Sequence, residues 1–467
     1  MGVFNLVSLA LFAIGSFAEH EPESTNKEIS VGGKKWVVLV AGSDGWNNYR
    51  HQADICHAYQ IVKENGIPIE NIITMMVDDI AYNSRNPTPG TIINKPNGTD
   101  VYHGVQIDYK GEDVTKTNFL KIITGDQAGM RSIGTSRVVL GGPLDRIFIN
   151  FVDHGTTGIL GFPEDYLYAD ELNDAFNTMN ENGSYKKMLL YIEACKAGSM
   201  FDGILSEDTN IFAVTASGPR ESSYGCYCKS ESGPYKTCLG DLFSVKWMED
   251  LDTPRSRQSA RKRTIFNDFS VARMNVTKSN VMIYGDLETG SEKLSSFIGY
   301  AGNGADSPNV PNVQQSNDFN LKSTASSRDV HEINVQYELA HDKLSLPEAL
   351  KLSAELRKNN KMRSVIDSVL RDIYSEVVKA RPDVKSEIGN YDEPNYLKLN
   401  LAMFPCYRSI LNQITESCFS LPRNPYVLDH LTVFANLCVV DNQIHQMVIS
   451  IVTKSCSNIP TNIINVQ

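Results

Sequence analysis

The sequence predicts an α/β domain built around a mostly parallel β-sheet, followed by an all-α unit. Between residue 35 and about residue 300, short apolar runs alternate with stretches of helical period, an order typical of parallel strands joined by helices. The runs are rich in β-branched and aromatic residues and do not alternate with polar ones, as expected of strands buried on both faces. From Pro347 onward the pattern changes to long amphipathic helices, such as residues 349–356.

Each predicted element follows from a run of this kind. The five predicted strands cover residues 36–41, 72–77, 147–152, 188–192 and 211–215. The helical periods between them cover residues 49–65, 117–123 and 168–179. The periodicity stops at residue 301 in a stretch rich in Asn, Ser, Gly and Pro, and this composition predicts a flexible linker over residues 301–346.

Length and charge exclude several classes of protein. A chain of 467 residues has room for two or three globular units at about 150 residues each. The formal net charge of −11 argues against a general nucleic-acid binder or a basic membrane-surface protein. One dense basic stretch, residues 255–263, has no interleaved aromatic residue, so we expect a solvated face there and no nucleic-acid patch.

The amino terminus predicts a secretory route. Residues 3–17 form an apolar run, and Ser16 and Ala18 supply the small residues that precede signal-peptidase cleavage. A membrane anchor needs about 20 apolar residues, so a cleaved signal peptide over residues 1–18 and a propeptide tail over residues 19–34 are expected. No later stretch is apolar enough to span a bilayer. Three Asn-x-Ser/Thr sequons, at Asn97, Asn182 and Asn275, are compatible with this route.

Two predicted strands end in residues that suit nucleophilic catalysis. Strand 147–152 is followed by His154 and Gly155, and strand 188–192 by Glu193 and Cys195. If the strands are neighbours, both ends meet at one edge of the sheet. A thiol needs a nearby imidazolium to persist as thiolate in an acidic compartment, and backbone N–H groups of Gly155 and Cys195 would stabilise an oxyanion. The alternative is a buried thiol beside a capping histidine. The joint placement favours catalysis.

Two cofactor readings fit the sequence less well. The glycine-rich turn after the first strand lacks the full G-x-G-x-x-G pattern and carries the bulky Trp46, which argues against a dinucleotide site. We expect Asn48 and Arg50 to contribute to the cleft edge instead. Nominal zinc ligands exist, but their spacing fits no common zinc pattern, and we expect neither a metal nor a cofactor. These nominal ligands are His51, Cys56, His57 and Cys195.

Several motifs together resemble the legumain family of asparaginyl endopeptidases, also called vacuolar processing enzymes. They are residues 43–54, His154-Gly155, 191–195, 219–224 and 239–241. The similarity runs in order from Lys35 to the carboxyl terminus. It implies a caspase-like peptidase domain over residues 35–300 and a helical prodomain over residues 347–467 that covers the active site and acts as an intramolecular inhibitor. Destination to a lysosome or vacuole, or secretion, and cystatin-type inhibitors as partners are implied as well.

The resemblance assigns roles residue by residue. It makes Cys195 the nucleophile, His154 its acid/base partner, Asn48 the residue that orients the histidine, and Gly155 an oxyanion-hole position. The residues that match the pocket for the substrate side chain before the cleaved bond (P1) are Arg50, Glu193, Ser223 and Asp241. An asparagine carboxamide offers one acceptor and two donors, so a guanidinium on one side and carboxylates on the other satisfy it. An aspartate side chain would resemble the amide only when it is protonated.

The sequence departs from the family pattern at two places near these residues. Lys196 and Ala197 follow the nucleophile where the family often has Glu-Ser, and Asp44 stands where Asn is usual. Neither departure removes a residue of the predicted site.

Nine cysteines leave at least one thiol unpaired. The four near the carboxyl terminus allow three connectivities. The resemblance favours Cys406–Cys438 and Cys418–Cys456, and it implies a Cys228–Cys238 pair like that of plant relatives. Cys56 and Cys226 then remain beside Cys195, with a buried thiol expected at Cys56.

The predicted function is a peptidase made as a zymogen that cleaves itself at low pH. Flexible-linker asparagines and Asn26 are suitable sites for that cleavage; those in the linker are Asn303, Asn309, Asn312, Asn317 and Asn320. A peptide ligase that uses the same acyl-enzyme is the main alternative. A transamidase subunit of the GPI type is expected to end in a membrane span, and an inactive binding homologue would not need the intact Asn48, His154 and Cys195.

Overall fold

The computed structural model describes residues 33–252, 261–300 and 323–457. The predicted signal peptide, nearly all of the amino-terminal tail, most of the basic stretch 255–263 and the first part of the predicted linker lie outside these residues. Among the described sequons, Asn97 and Asn182 are exposed and Asn275 is half-buried. No helix within the described ranges is both long and apolar enough to cross a membrane.

A six-stranded, mostly parallel sheet forms the centre of the α/β unit, which confirms the predicted fold class. Its order is β11-β8-β7-β3-β1-β2, and only the edge strand β11 runs antiparallel to its neighbour. The strands, two further three-stranded sheets included, are β1 Lys35–Ala41, β2 Ile72–Met75, β3 Arg146–Val152, β4 Gly155–Thr156, β5 Ile159–Gly161, β6 Tyr166–Tyr168, β7 Lys187–Glu193, β8 Ile211–Thr215, β9 Tyr224–Cys226, β10 Gly240–Asp241, β11 Met282–Gly285 and β12 Thr324–Ser326.

Helices cover both faces of this sheet and make up the carboxyl-terminal unit. They are α1 Tyr49–Glu64, α2 Lys116–Thr124, α3 Ala169–Glu181, α4 Leu242–Asp252, α5 Ile265–Asn275, α6 Ser295–Ile298, α7 Val330–His341, α8 Leu346–Ala380, α9 Lys385–Ile388, α10 Phe404–Ser417, α11 Thr432–Val440 and α12 His445–Cys456. The five predicted strands and three predicted helices match within two residues at each end. The edge strand β11 and the two small sheets were not predicted, because their strands are short and mostly of two to four residues.

The central strands send alternate residues into two apolar layers. Val37, Phe148 and Leu189 pack with α1 and α4 on one face. Val38 and Ile149 face the other side, where the layer of apolar residues continues into the carboxyl-terminal helices. Successive residues of each strand point to opposite faces of the sheet, and both faces are buried. The strands therefore appear in the sequence as unbroken apolar runs.

The helical unit is organised around the long helix α8. Ser345 caps its first turn, and Glu348 completes the capping box. The helix therefore begins one residue before Pro347, the predicted start of the helical unit. Disulfides join Cys406 to Cys438 and Cys418 to Cys456, and Cys228 joins Cys238 in the α/β unit; these are the pairings that the resemblance implied. Cys56, Cys195 and Cys226 are free and buried.

The predicted linker needs correction over its second half. Residues 324–326 form the strand β12, which pairs with β9, and residues 330–341 form α7. The strand is stabilised by hydrogen bonds to a distant sheet edge, and Val330 and Val335 of α7 are buried. The composition of this stretch does not reveal a partner strand far along the chain, and for this reason the sequence predicted a linker here.

Leu370 tests the packing of α8. Its side chain is fully buried among helices of the carboxyl-terminal unit, so Leu370→Ala is expected to lower the free energy of unfolding by about 2 to 5 kcal/mol. Leu350 on the same helix is 57% exposed, and Leu350→Ala is expected to cost less than about 0.5 kcal/mol. Urea titration followed by circular dichroism measures both. Equal losses for the two variants would contradict the packing described here.

Candidate active site

The two strands that carry His154 and Cys195 are direct neighbours in the sheet. Val152 of β3 lies opposite Glu193 of β7, so the residues two positions further on, His154 and Cys195, leave the sheet at the same edge. Both are buried. Gly155 packs so tightly here that a Cβ atom would lie 2.8 Å from the carbonyl oxygen of Cys195, which explains the need for glycine.

The imidazole of His154 is held from one side. Its Nε2 lies 2.9 Å from Oδ1 of Asn48, and the Asn48 amide in turn donates to the carbonyl oxygen of Asp44. The His154 Nδ1 atom has no hydrogen-bond partner in the structure. Burial, together with the positive charges of Arg50 and Arg328, holds the pKa of His154 well below its ordinary value. A neutral ring that donates through Nε2 leaves Nδ1 as a proton acceptor.

The thiol of Cys195 is engaged by the segment that leads into β9. The backbone N–H of Ser223 donates to Sγ at 3.2 Å, and the Ser223 hydroxyl lies 3.5 Å from it. Contacts of the described residues include no hydrogen bond between this thiol and His154. The two groups share one edge of the sheet, and the thiol is turned towards Ser223.

A buried guanidinium and several carboxyls form a pocket beside the thiol. Arg50 Nε donates to Oδ1 of Asp241 at 2.9 Å, and both side chains are at most 1% exposed. Glu193 accepts from the backbone N–H and hydroxyl of Ser244 through Oε2 only. Glu193 Oε1 and Asp241 Oδ2 have no hydrogen-bond partner. Burial, then the charge of Asp241, raises the pKa of Glu193 well above its ordinary value.

Sequence reasoning missed further polar groups at this site. His51 Nδ1 lies 2.5 Å from the Ser43 hydroxyl and 3.5 Å from Oδ1 of Asp153, and Asp54 accepts from the backbone N–H of Asp241 at 3.1 Å. The available signal was that Arg50 and Asp54 lie four positions apart on one face of α1, a helix whose first eleven residues are all buried.

The nominal zinc ligands of the sequence make separate contacts. His57 lies against Asn94 and Asp252, and the Cys56 thiol contacts the Met76 sulfur. The group that does come together is His51, Asp153 and His154, with one ligand atom from each within 4.8 Å of the others.

Lys196, which departs from the family pattern next to Cys195, adopts a positive φ of 54°. Its Nζ donates to the Thr432 hydroxyl of α11 at 2.8 Å. Burial and the charge of Arg328 lower the pKa of Lys196 to about 7.

An extended segment of the chain lies across the site. β12 pairs antiparallel with β9, and the next residue, Ser327, donates its N–H to the Ser223 carbonyl at 3.1 Å. Arg50 Nη2 donates to the Ser327 carbonyl at 3.0 Å and to its hydroxyl at 2.6 Å. The guanidinium of Arg328 donates to the Gly155 carbonyl and pairs with Asp429 of the helical unit. The edge of the sheet that carries His154 and Cys195 is therefore covered by residues 324–328.

A thiol and an imidazole at the carboxyl edge of a mostly parallel sheet, beside a polar side-chain pocket, are the features of a cysteine peptidase. The comparisons with known proteins agree with this class. Residues 35–302 match the model of the Peptidase C13 family, and the chain belongs to that family. It is a cysteine endopeptidase.

Several named relatives resemble the chain over much of its length. The legumain of Homo sapiens is 38% identical over 449 residues, which are 95% of this chain and 96% of that protein. The legumain of Canavalia ensiformis is 46% identical over 57% of this chain and 58% of its own. The vacuolar-processing enzyme of Citrus sinensis is 47% identical over 57% and 55%. A crystal structure of caspase-1 from Spodoptera frugiperda aligns with 55% of this chain and 86% of its own at 13% identity and a TM-score of 0.32.

The burial of Asp153 predicts that the protein is less stable at neutral pH than at acidic pH. Burial raises its pKa to about 7, so the folded protein holds a proton on this carboxyl between about pH 4 and pH 7 that the unfolded chain releases. Its contribution to the free energy of unfolding therefore falls as the pH rises through that window, by up to about 4 kcal/mol. Urea titrations at pH 5 and pH 7.5 are expected to show a smaller difference for Asp153→Asn than for the unmodified chain.

Asp174 provides the matched control, since it is exposed on α3. Asp174→Asn is expected to keep the pH dependence of the unmodified chain. An Asp153→Asn protein with an unchanged difference between the two pH values would refute the role of Asp153.

Proposed function

We propose that this peptidase cleaves after asparagine, uses Cys195 as its nucleophile, and is made as a zymogen whose active site is covered by its own chain. His154 takes the thiol proton at Nδ1 while Asn48 holds the opposite nitrogen. The thiolate attacks the peptide carbonyl, and N–H groups of Gly155 and Cys195 stabilise the oxyanion. His154 then returns the proton to the leaving amine, and water releases the acyl group from the sulfur.

The pocket beside the thiol carries the proposal for asparagine. A carboxamide oxygen accepts from the Arg50 guanidinium, and its NH₂ group donates to Glu193 Oε1 and Asp241 Oδ2, the two buried oxygens that lack a partner. A side chain that leaves these oxygens unpaired binds less well, since buried acceptors are costly to leave unsatisfied. An ionised aspartate is repelled by the same carboxyls, whereas a protonated aspartate resembles the amide.

The segment over the site supports the zymogen proposal. β12 pairs with β9 as an added peptide strand would, and Ser327 enters the pocket that we assign to asparagine. Serine is too short to pair with Glu193 and Asp241, so its hydroxyl and its backbone carbonyl both accept from Arg50. A carbonyl held by Arg50 is not directed to the oxyanion N–H groups. This arrangement blocks the site without presenting a bond for cleavage.

Activation would follow cleavage in the predicted linker, within residues 301–322, which lie between α6 and β12 in the sequence. The segment and the helical unit are held by polar contacts, among them Thr156 to the Leu428 carbonyl at 2.6 Å and Thr157 to Thr432 at 2.9 Å. Once the linker is cut, these contacts are no longer supported by a covalent link. Three disulfides further favour the secretory route, because such bonds persist in oxidising compartments.

Paired peptides that differ only in Asn or Asp before the cleaved bond test the pocket. The activated enzyme is expected to cleave the Asn peptide at pH 5 and at pH 7. Its rate on the Asp peptide is expected to fall by about 100-fold between these values, since the protonated fraction of an aspartate falls tenfold per pH unit. Cys195→Ser is the inactive control. An equal Asn-to-Asp ratio at both pH values would refute the pocket, and mass analysis with an added amine separates hydrolysis from ligation.

Ser327 tests the covering segment in the full-length chain. In Ser327→Asn the carboxamide is expected to occupy Arg50 in place of the backbone carbonyl, which frees that carbonyl for attack. Incubation at pH 5 followed by mass analysis should then show cleavage after residue 327, which the unmodified chain lacks. Ser326→Asn is the matched control, because neighbouring strand residues point in opposite directions and residue 326 does not enter the pocket. Equal cleavage after 326 and 327 in the two variants would contradict the assigned register.

A further inference from the structure

A cavity of about 300 Å³ opens beside the catalytic edge, next to His154 and Asn48. The covering segment runs into it: Ser327 lies at the P1 pocket, and Arg328, Val330 and His331 line the cavity. A substrate that binds in the direction of β12 would therefore place the residues after its cleaved bond here. This inference rests on the proposed function and extends it to the other side of the cleaved bond.

Charge is divided unevenly between the two sides of this cavity. The peptidase domain contributes three carboxyls, Asp44, Asp153 and Glu164, and no lysine or arginine among the residues that line it. Both guanidiniums of the lining, Arg328 and Arg423, come from the segment after residue 323. The described lining thus carries its carboxyls on the catalytic side and its guanidiniums on the covering side.

The contacts across the cavity follow this division. Glu164 accepts from Arg423 Nε at 3.1 Å and from Nη2 at 2.8 Å. Burial and the charges of Asp79 and Glu164 raise the pKa of Asp44, and the charge of Arg423 opposes the shift, so all of these groups lie within electrostatic reach. The Asp153 side chain is only 3% exposed, and its Oδ1 has no hydrogen-bond partner although it lines the cavity.

We propose that this cavity is the subsite for the residues that follow the cleaved bond, and that Asp44 and Glu164 make it select a lysine or arginine side chain there. When the covering segment and the helical unit leave, Arg328 and Arg423 leave with them. The carboxyls then lack a cationic partner, and a basic substrate residue restores the pairing that the zymogen shows. A negatively charged residue at the same position meets repulsion from Asp44 and Glu164.

Three peptides test the subsite. Each has Asn before the cleaved bond. The three differ only at one of the two positions after that bond, where they carry Arg, Gln or Glu. The full-length chain is first incubated at pH 4.5 until its activity is constant, and kcat/KM is then measured at pH 5.5 and low ionic strength. We expect the Arg peptide to exceed the Gln peptide by roughly 3- to 10-fold and the Glu peptide to fall below it, with both differences reduced in 0.5 M NaCl.

The variants assign the effect to the two carboxyls. Asp44→Asn combined with Glu164→Gln is expected to reduce the Arg-to-Glu ratio at least threefold. Asp174→Asn combined with Glu181→Gln, which removes the same number of charges from exposed positions of α3, is expected to leave the ratio unchanged. An Arg-to-Glu ratio near one in the unmodified enzyme overturns the proposed subsite, and so does a ratio that the double variant of Asp44 and Glu164 leaves unchanged. Neither result contradicts the proposal that the enzyme cleaves after Asn. If none of the three peptides is cleaved, the proposed function is overturned together with the subsite.

Discussion

The Arg50 guanidinium is the group on which the arrangement of the active site depends. It is fully buried at the start of α1, where it pairs with Asp241 of β10 and donates to Ser327 beyond β12. Taking such a charge out of water is expensive, and removal of one partner of a buried pair typically costs about 3 to 5 kcal/mol. One residue therefore holds the first helix after β1, the strand pair that shapes the pocket and the covering segment in a single geometry.

The same burial accounts for the chemistry around Arg50. Burial raises the pKa values of Asp54, Glu193 and Asp241, and the charge of Asp241 raises those of Asp54 and Glu193 further, whereas Arg50 opposes the shift at Glu193 and Asp241. A site with more acceptors than donors is suited to a neutral side chain that brings donors of its own. Burial, and then the positive charge of Arg50, lowers the pKa of the nearby His154 and so favours the neutral ring that a proton acceptor requires.

The predictions from sequence succeeded where the signal was local. His154 and Cys195 were predicted to meet because each follows an apolar run long enough to identify as a buried strand, and parallel strands bring their carboxyl ends to one edge. β12 was missed because three residues, Thr324–Ser326, have no periodicity and depend on the edge of β9 for their hydrogen bonds. His51, Asp54 and Asp153 were missed for a related reason: their roles arise from contacts with residues far along the chain.

The sequence by itself determined the strand and helix order and placed His154 and Cys195 after two buried strands, because these features follow from patterns within about ten residues. The residue types of the pocket came from the resemblance to the legumain family. Only the tertiary structure decided that Ser327 fills the pocket, that Lys196 reaches Thr432, and that an acidic wall faces two arginines. These pairings join residues separated by more than two hundred positions. Burial and electrostatic interactions in the folded molecule supply the free energy that favours these pairings. Neither the burial of a residue nor its distance from a charge far along the chain can be deduced from the neighbouring sequence.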